Sequence, residues 1–497
     1  MRIRNVLLTT CFVLAFATAS RGQGVNDAEL KGDYAFSFTG MTTGGSGAST
    51  PFAAVGRFTA DGIGNLVNGE LDSNGLGVGL GGVEKAAALA FTGNYSIGAD
   101  NRGVMTLIIP GGGTLAFAMM SNGNAKFVEI DASGGHGTVG SGSIEKVDTS
   151  AYNTARIAGD YAFGVAGQDQ SNNRTAIAGR FTANGAGILS NGAADENFAG
   201  RFTTMNLFAG TYMVTDSATG RGIMNIPPVI GGSLSNLDFV FYVVNGGKLF
   251  AMDMDAVSPA APLLVGTVLQ QQTPVGGFSN ASLNGTMVIY LTGLSGGNAA
   301  CAGGGLLKTD GMAGLTLTYD QNCNSFSAAG APGTYSVASN GRAAIRPLAE
   351  YVAAYLVNSN EAFLIAPDGA VSLGFGEPQA AAPLTNSSVI GKYAGSATTP
   401  TSLGVVDFSG EFSADGVSPT GNLSGTEDIG APSGATLGAA ANATYSISSS
   451  PLNPTNGRGT ISGSFSGVLL VISSAKFVVV QPGAAASSNA AILIFEQ

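Results

Sequence analysis

Gly32-Asp33-Tyr34-Ala35-Phe36-Ser37-Phe38 is the stretch that decides the fold. It returns almost unchanged as Gly159-Asp160-Tyr161-Ala162-Phe163-Gly164-Val165. Eroded forms follow as Gly285-Thr286-Met287-Val288-Ile289-Tyr290-Leu291 and Gly391-Lys392-Tyr393-Ala394-Gly395-Ser396. Side chains of a strand alternate between its faces, so Tyr34, Phe36 and Phe38 share one side while Ala35 and Ser37 take the other. The aromatic side is built for a core. The opening glycines at 32, 159, 285 and 391 lie 127, 126 and 106 residues apart, a domain-sized period rather than the short one of a solenoid.

Two more landmarks recur in step with the first. Gly56-Arg57-Phe58-Thr59-Ala60-Asp61-Gly62 is matched by runs ending Asn184-Gly185, Asp310-Gly311 and Asp415-Gly416. Asp-Gly or Asn-Gly after a strand-like run marks a hairpin, because both residues tolerate positive φ. Gly93-Asn94-Tyr95-Ser96-Ile97 is then matched around Tyr212, Tyr335 and Tyr445, and each copy is followed by a turn carrying an arginine: Arg102, Arg221, Arg342 and Arg458. Each repeat thus holds about seven to nine short strands at spacings of roughly 8–12 residues, the pattern of an antiparallel barrel or sandwich. The expected architecture is all-β, with four tandem domains at residues 28–148, 156–272, 281–378 and 389–497. Looser, partly Pro-containing segments at 147–155, 270–280 and 377–388 read as linkers.

At the N-terminus Arg2 and Arg4 precede an apolar run that ends in Ala17-Thr18-Ala19, which reads as a signal peptide over residues 1–19 and predicts a secreted or cell-surface protein. Cys11 leaves with it. No later stretch supplies the eighteen or so uninterrupted apolar residues of a spanning helix, so no helical membrane anchor is expected. Charged residues make up 11% of the chain and the net charge is −11, which disfavours nucleic acid as a partner. Seventy-six glycines beside 44% hydrophobic residues describe short apolar strands and tight turns rather than a disordered chain.

The Gly-x-Tyr openings and the run of hairpins resemble small up-and-down barrels of the lipocalin and avidin kind. Where lipocalins carry Trp after Gly-x, this chain has Tyr34, Tyr161, Met287 and Tyr393. The mature chain also resembles uncharacterised secreted bacterial tandem β-repeat proteins, with Leu30 to Phe36 as the Leu-x-Gly-x-Tyr-x-Phe opening and Phe58 to Gly64 as the Phe-Thr-Ala-Asp-Gly-x-Gly hairpin. That resemblance implies no activity.

Few residues point to chemistry. His136, the only histidine, stands in a Gly-Gly-His-Gly turn and reads as a surface turn residue. Cys301 and Cys323 flank the third repeat's turn, with their midpoint at residue 312, so antiparallel register opposes them and an exported chain would join them in a disulfide. Their counterparts, read as Phe52 and Asn74, Thr175 and Asn197, and Val406 and Asp428, make that staple private to the third domain. Glu129 with Asp131 and Asp253 with Asp255 are same-face carboxylate pairs, for which a solvent-facing strand end is the plainer explanation than acid-base or calcium chemistry. Asp61-Gly62-Ile63-Gly64-Asn65 reads as a hairpin rather than a calcium loop, and the Gly-rich runs at 79–82, 111–113 and 303–305 as turns or close approaches. The four arginines are assigned a structural role, bonding turn carbonyls or lying over a barrel-end tyrosine. No catalytic residue, cofactor or metal is assigned.

The functional expectation is therefore a secreted or cell-surface, non-enzymatic protein with a structural or adhesive role, its four domains forming an extended array. The alternative is a carrier of a small apolar ligand inside the barrels. A single outer-membrane barrel is the third reading.

Overall fold

The computed structural model describes residues 24–43, 49–75, 85–110, 112–134, 137–227, 237–295, 299–322, 328–347, 350–398, 407–447, 456–481 and 491–497. Residues 1–19, read above as a signal peptide, and His136 and Cys323 lie outside these residues.

The chain builds four closed antiparallel barrels of eight strands each, so the barrel is realised rather than the sandwich. Their strands span Lys31–Lys146, Ala158–Gln270, Asn284–Pro378 and Ile390–Glu496. Within each barrel consecutive strands are neighbours, and the eighth pairs back on the first: Phe38 lies opposite Gly142, Val165 opposite Gly266, Leu291 opposite Gly374 and Ala397 opposite Leu493. Full closure removes the exposed edges that an open sheet would present. The only helices among the described residues are short 3₁₀ turns, such as Thr149–Ala151 and Asn386–Ser388, on the segments leading into the barrels.

The opening phrase behaves as its alternation requires. Tyr34, Phe36 and Phe38 are buried within barrel 1, and Tyr34 stacks on Phe58 of the second strand with centroids 5.6 Å apart. Tyr161 repeats this with Phe181 at 5.7 Å.

One end of every barrel is shut by the same device. The hydroxyl of Tyr95 donates to Leu30 O at 2.7 Å, and its counterparts Tyr212, Tyr335 and Tyr445 donate to Ile157 O, Leu283 O and Val389 O at 2.5, 2.8 and 2.7 Å. Two residues beyond each tyrosine, a backbone N–H is capped by a side-chain oxygen from the entering 3₁₀ turn or its flank: Asp27, Thr154, Asn280 and Asn386. These bonds satisfy buried polar groups at the barrel floor, as burial requires.

The four barrels form a closed ring, which corrects the extended array expected from the sequence. The outer faces of the first two strands of barrels 1, 2 and 3 pack on the sixth and seventh strands of the next barrel. Ala35, Ala53 and Val55 meet Val240, Tyr242 and Phe250; Ala162, Ala176 and Ala178 meet Ala353, Tyr355 and Phe363; Val288 and Leu306 meet Leu470 and Val478. Barrel 4 then packs back on barrel 1 through Ala394 against Ala118 and Met120. Glycine is required where these faces come closest. A Cβ on Gly164 would lie 2.5 Å from the Phe363 ring, and one on Gly304 would lie 2.7 Å from Val480. Four separate barrels also replace the single outer-membrane barrel reading. Among the described residues no helix is long and apolar enough to cross a membrane.

Candidate functional site

The four repeated arginines all leave their own barrel. Arg221 of barrel 2 grips Asp72 of barrel 1 in a two-pronged bridge, Nε to Oδ2 at 2.8 Å and Nη2 to Oδ1 at 2.7 Å. Arg342 of barrel 3 does the same to Asp195 of barrel 2, both contacts at 2.8 Å. Arg458 of barrel 4 takes Asp320 of barrel 3 at 3.1 and 2.9 Å. Arg102 of barrel 1 closes the circuit on Asp428 of barrel 4 at 2.7 Å. The four aspartates occupy one register position of the third strand, opposite Val55, Ala178, Gly304 and Ser409. The sequence reading expected turn carbonyls or a barrel-end tyrosine as partners of these arginines; the structure pairs each with a carboxylate on the preceding barrel, taking barrel 4 to precede barrel 1.

The first two clasps are the more elaborate. Tyr242 and Tyr355 each donate a hydroxyl at 2.8 Å to the clasped aspartate, and Asp72 and Asp195 are fully buried. At the sixth-strand positions that pair with Arg102 and Arg458, the tyrosine is replaced by Ala118 and Leu470. A planar guanidinium matched to two carboxylate oxygens sets orientation as well as distance, so the clasps fix how neighbouring barrels sit. Bidentate pairing holds the Arg221 and Arg342 guanidinium groups above their ordinary range, against burial, which works the other way.

The other residues singled out from sequence have mostly structural settings. Tyr161 and Tyr393 tie the first strand to the turn between the sixth and seventh, donating to Gly246 O at 2.6 Å and Ser474 O at 2.8 Å, whereas Tyr34 bonds its own Lys31. Asp61 folds its hairpin by accepting from Ile63 N and Asn65 N. Cys301 is buried on the second strand of barrel 3. That strand's described ladder ends at Gly303 opposite Gln321, with Asn322 bonded to Ala302, so the chain's next residue after the ladder is Cys323. The cysteine counterparts shift by one: Phe52 faces Gly75, and Thr175 faces Phe198. Asn74 and Asn197 instead bond carbonyls of the next barrel, Asp253 O and Ala366 O.

In each carboxylate pair the first acid is turned away from solvent, while Asp131 is exposed and Asp255 half-buried. Glu129 and Asp253 lie buried at the ends of seventh strands, each accepting from the N–H of the paired acid two residues on, Asp131 or Asp255. Burial, reinforced by the neighbouring carboxylate, pushes Glu129 up to about 9, so it is protonated at neutral pH, and raises Asp253 as well. Among the described residues no group of three or more His, Cys, Asp or Glu is arranged to hold a metal.

What sequence reading missed is that the barrel interiors differ. Barrels 1 and 2 are packed with rings, including Phe117 and Phe127 in one and Phe208 and Phe241 in the other; barrel 4 is filled by Phe412, Phe465, Phe477 and Phe495. In barrel 3 the same register positions carry smaller groups. Met287 and Leu307 replace the Tyr34 and Phe58 pair, Ala354 stands for Phe117 and Leu364 for Phe127, and Ala366 takes the place of the buried acid. A cavity of about 160 Å³ remains, walled by Ile289, Leu291, Leu307, Leu317 and Leu364, with Tyr319, Tyr351, Gln321, Glu350 and Asp368 also on its lining. The signal was in the chain: the third copy alone carries Met287 in place of the opening tyrosine and Leu307 in place of the phenylalanine before the hairpin turn.

No family model matches this chain, and no curated protein does. Among solved structures it is similar to a protein of unknown function from the DUF3598 family of Nostoc punctiforme, at 10% identity and a TM-score of 0.15, over 48% of this chain and 95% of that one.

Proposed function

We propose that the protein is an exported binding scaffold, a ring of four barrels in which the third receives a small apolar molecule. The observation that carries this reading is the contrast, among the described residues, between the open interior of barrel 3 and the ring-packed interiors of the other barrels. An apolar cavity of about 150 Å³ holds a benzene-sized guest, so a space of this size suits a single-ring compound. Phenol-like ligands fit best: the ring would lie among Leu291, Leu317 and Leu364, while the hydroxyl would meet the polar lining at Tyr351, Gln321 or Asp368. The structural part of the role is supported by the circuit of clasps, which holds the barrels in one arrangement.

Titration of the mature chain with p-cresol and with indole, followed by calorimetry, tests the binding. One saturable site per chain is expected. Leu364→Phe, which restores the ring that barrel 1 carries as Phe127, should abolish it while leaving the fold intact. Absence of binding, or binding indifferent to L364F, would overturn the reading.

A further inference from the structure

A second space lies between the barrels, on the axis of the ring. It measures about 350 Å³, and every barrel contributes to its wall: Ser37 and Thr39 from the first, Arg174 from the second, Thr292 from the third, Ser396 and Thr398 from the fourth. The alternation that buries Tyr34, Phe36 and Phe38 inside barrel 1 turns Ser37 and Thr39 outward, so the chamber is faced by small hydroxylated residues of the opening strands.

Arg174 is the unusual member. It is only 8% exposed, and its guanidinium is held by two carbonyls of barrel 3, Nε donating to Val371 O at 3.1 Å and Nη2 to Thr292 O at 3.4 Å. Nη1 has no acceptor, and no carboxylate stands within 4 Å, among the described residues. Every other arginine that the fold buries wholly or in part among those residues is ion-paired: Arg57 with Asp33, Arg180 with Asp160, and the four clasps. Asp368 attracts Arg174 from farther off, but its oxygens accept from Ser372 N and Oγ. Lys126, the chamber's other cation, is already committed to Glu496 at 3.0 Å. Burial draws the Arg174 guanidinium down to about 10, which still leaves it charged at neutral pH. A buried charge with no carboxylate in direct contact is costly, and a guanidinium with a free edge on the chamber is shaped for two oxygens of one anion.

We propose that the axial chamber is an oxyanion site, in which Arg174 binds the carboxylate or phosphate of a small molecule and the surrounding hydroxyls take its remaining polar groups. The site is independent of the barrel 3 cavity and would stand if that reading failed.

The test is calorimetric titration of the mature chain with malonate and, separately, with inorganic phosphate at low ionic strength. One site per chain is expected for at least one of them, weakened tenfold or more in Arg174→Gln and unchanged in L364F. Binding of malonate alone marks a carboxylate ligand, and of phosphate alone a phosphorylated one. Because R174Q removes a link between barrels 2 and 3, Thr39→Met, which fills the chamber and leaves the arginine in place, serves as the second variant and should also abolish binding. No saturable binding of either anion, or binding retained in T39M, would overturn the proposal.

Discussion

Arg102 of the first barrel donates to Asp428 of the fourth at 2.7 Å, and through that contact two residues 326 positions apart complete a circuit in which each barrel holds the one before it. The closing interface gathers only Ala118, Met120 and Ala394 in its apolar cluster, and polar contacts join the clasp across it: Lys126 pairs with Glu496 at 3.0 Å and Ser409 Oγ donates to Lys126 O at 2.8 Å.

The clasps should rank by burial. Removing one partner of a buried pair strands the other charge and costs about 3–5 kcal/mol, whereas an exposed pair is worth about 0–1 kcal/mol. Asp72 and Asp195 have fully buried side chains, while that of Asp320 is 25% exposed. Urea midpoints should therefore fall furthest for D72N and D195N and least for D320N.

Much of this was legible in the sequence. Period-two alternation in Gly32 to Phe38, the Asp-Gly turns and the fourfold recurrence gave all-β repeats, since those are local properties of the chain. The recurrence of Arg102, Arg221, Arg342 and Arg458 was visible, but their partners lie 138 to 326 residues away, and no local pattern links such positions. Ring closure was hidden for the same reason. The buried settings of Glu129 and Asp253 were misread because a strand end looks alike in sequence whether it faces solvent or a barrel interior.

Buried Glu129 gives the protein an alkaline weakness. Its pKa rises from an ordinary 4.5 to about 9 on folding, so the folded chain holds a proton that the unfolded chain releases. The stability this contributes is complete below about pH 4.5 and is lost as pH rises through about 9. Melting curves between pH 6 and 9.5 should show E129Q gaining steadily on the wild type; parallel curves would remove the carboxyl from the explanation.

Tyr212→Phe should cost about 1–3 kcal/mol, because the hydroxyl both donates to Ile157 O and accepts from Gly185 N at the barrel floor. Hydrogen exchange should report the loss locally, in residues 157–161 and 183–188, before any change in the neighbouring barrels.

Thiol titration of the unfolded, unreduced chain lacking residues 1–19 should find neither Cys301 nor Cys323 free, as their sequence positions about the turn at residue 312 predict. A bridge closing this loop is worth about 3 kcal/mol in the entropy model, and C301S should lower stability by that order. Two titratable thiols would end the idea.

Solution X-ray scattering from the chain lacking residues 1–19 tests ring closure most directly. A compact body of this length has a radius of gyration of about 23 Å, and four barrels strung out in a line would exceed about 30 Å. The closed circuit predicts a value near the first, with R102M or D428N shifting it upward. A wild-type value near the second would contradict the ring.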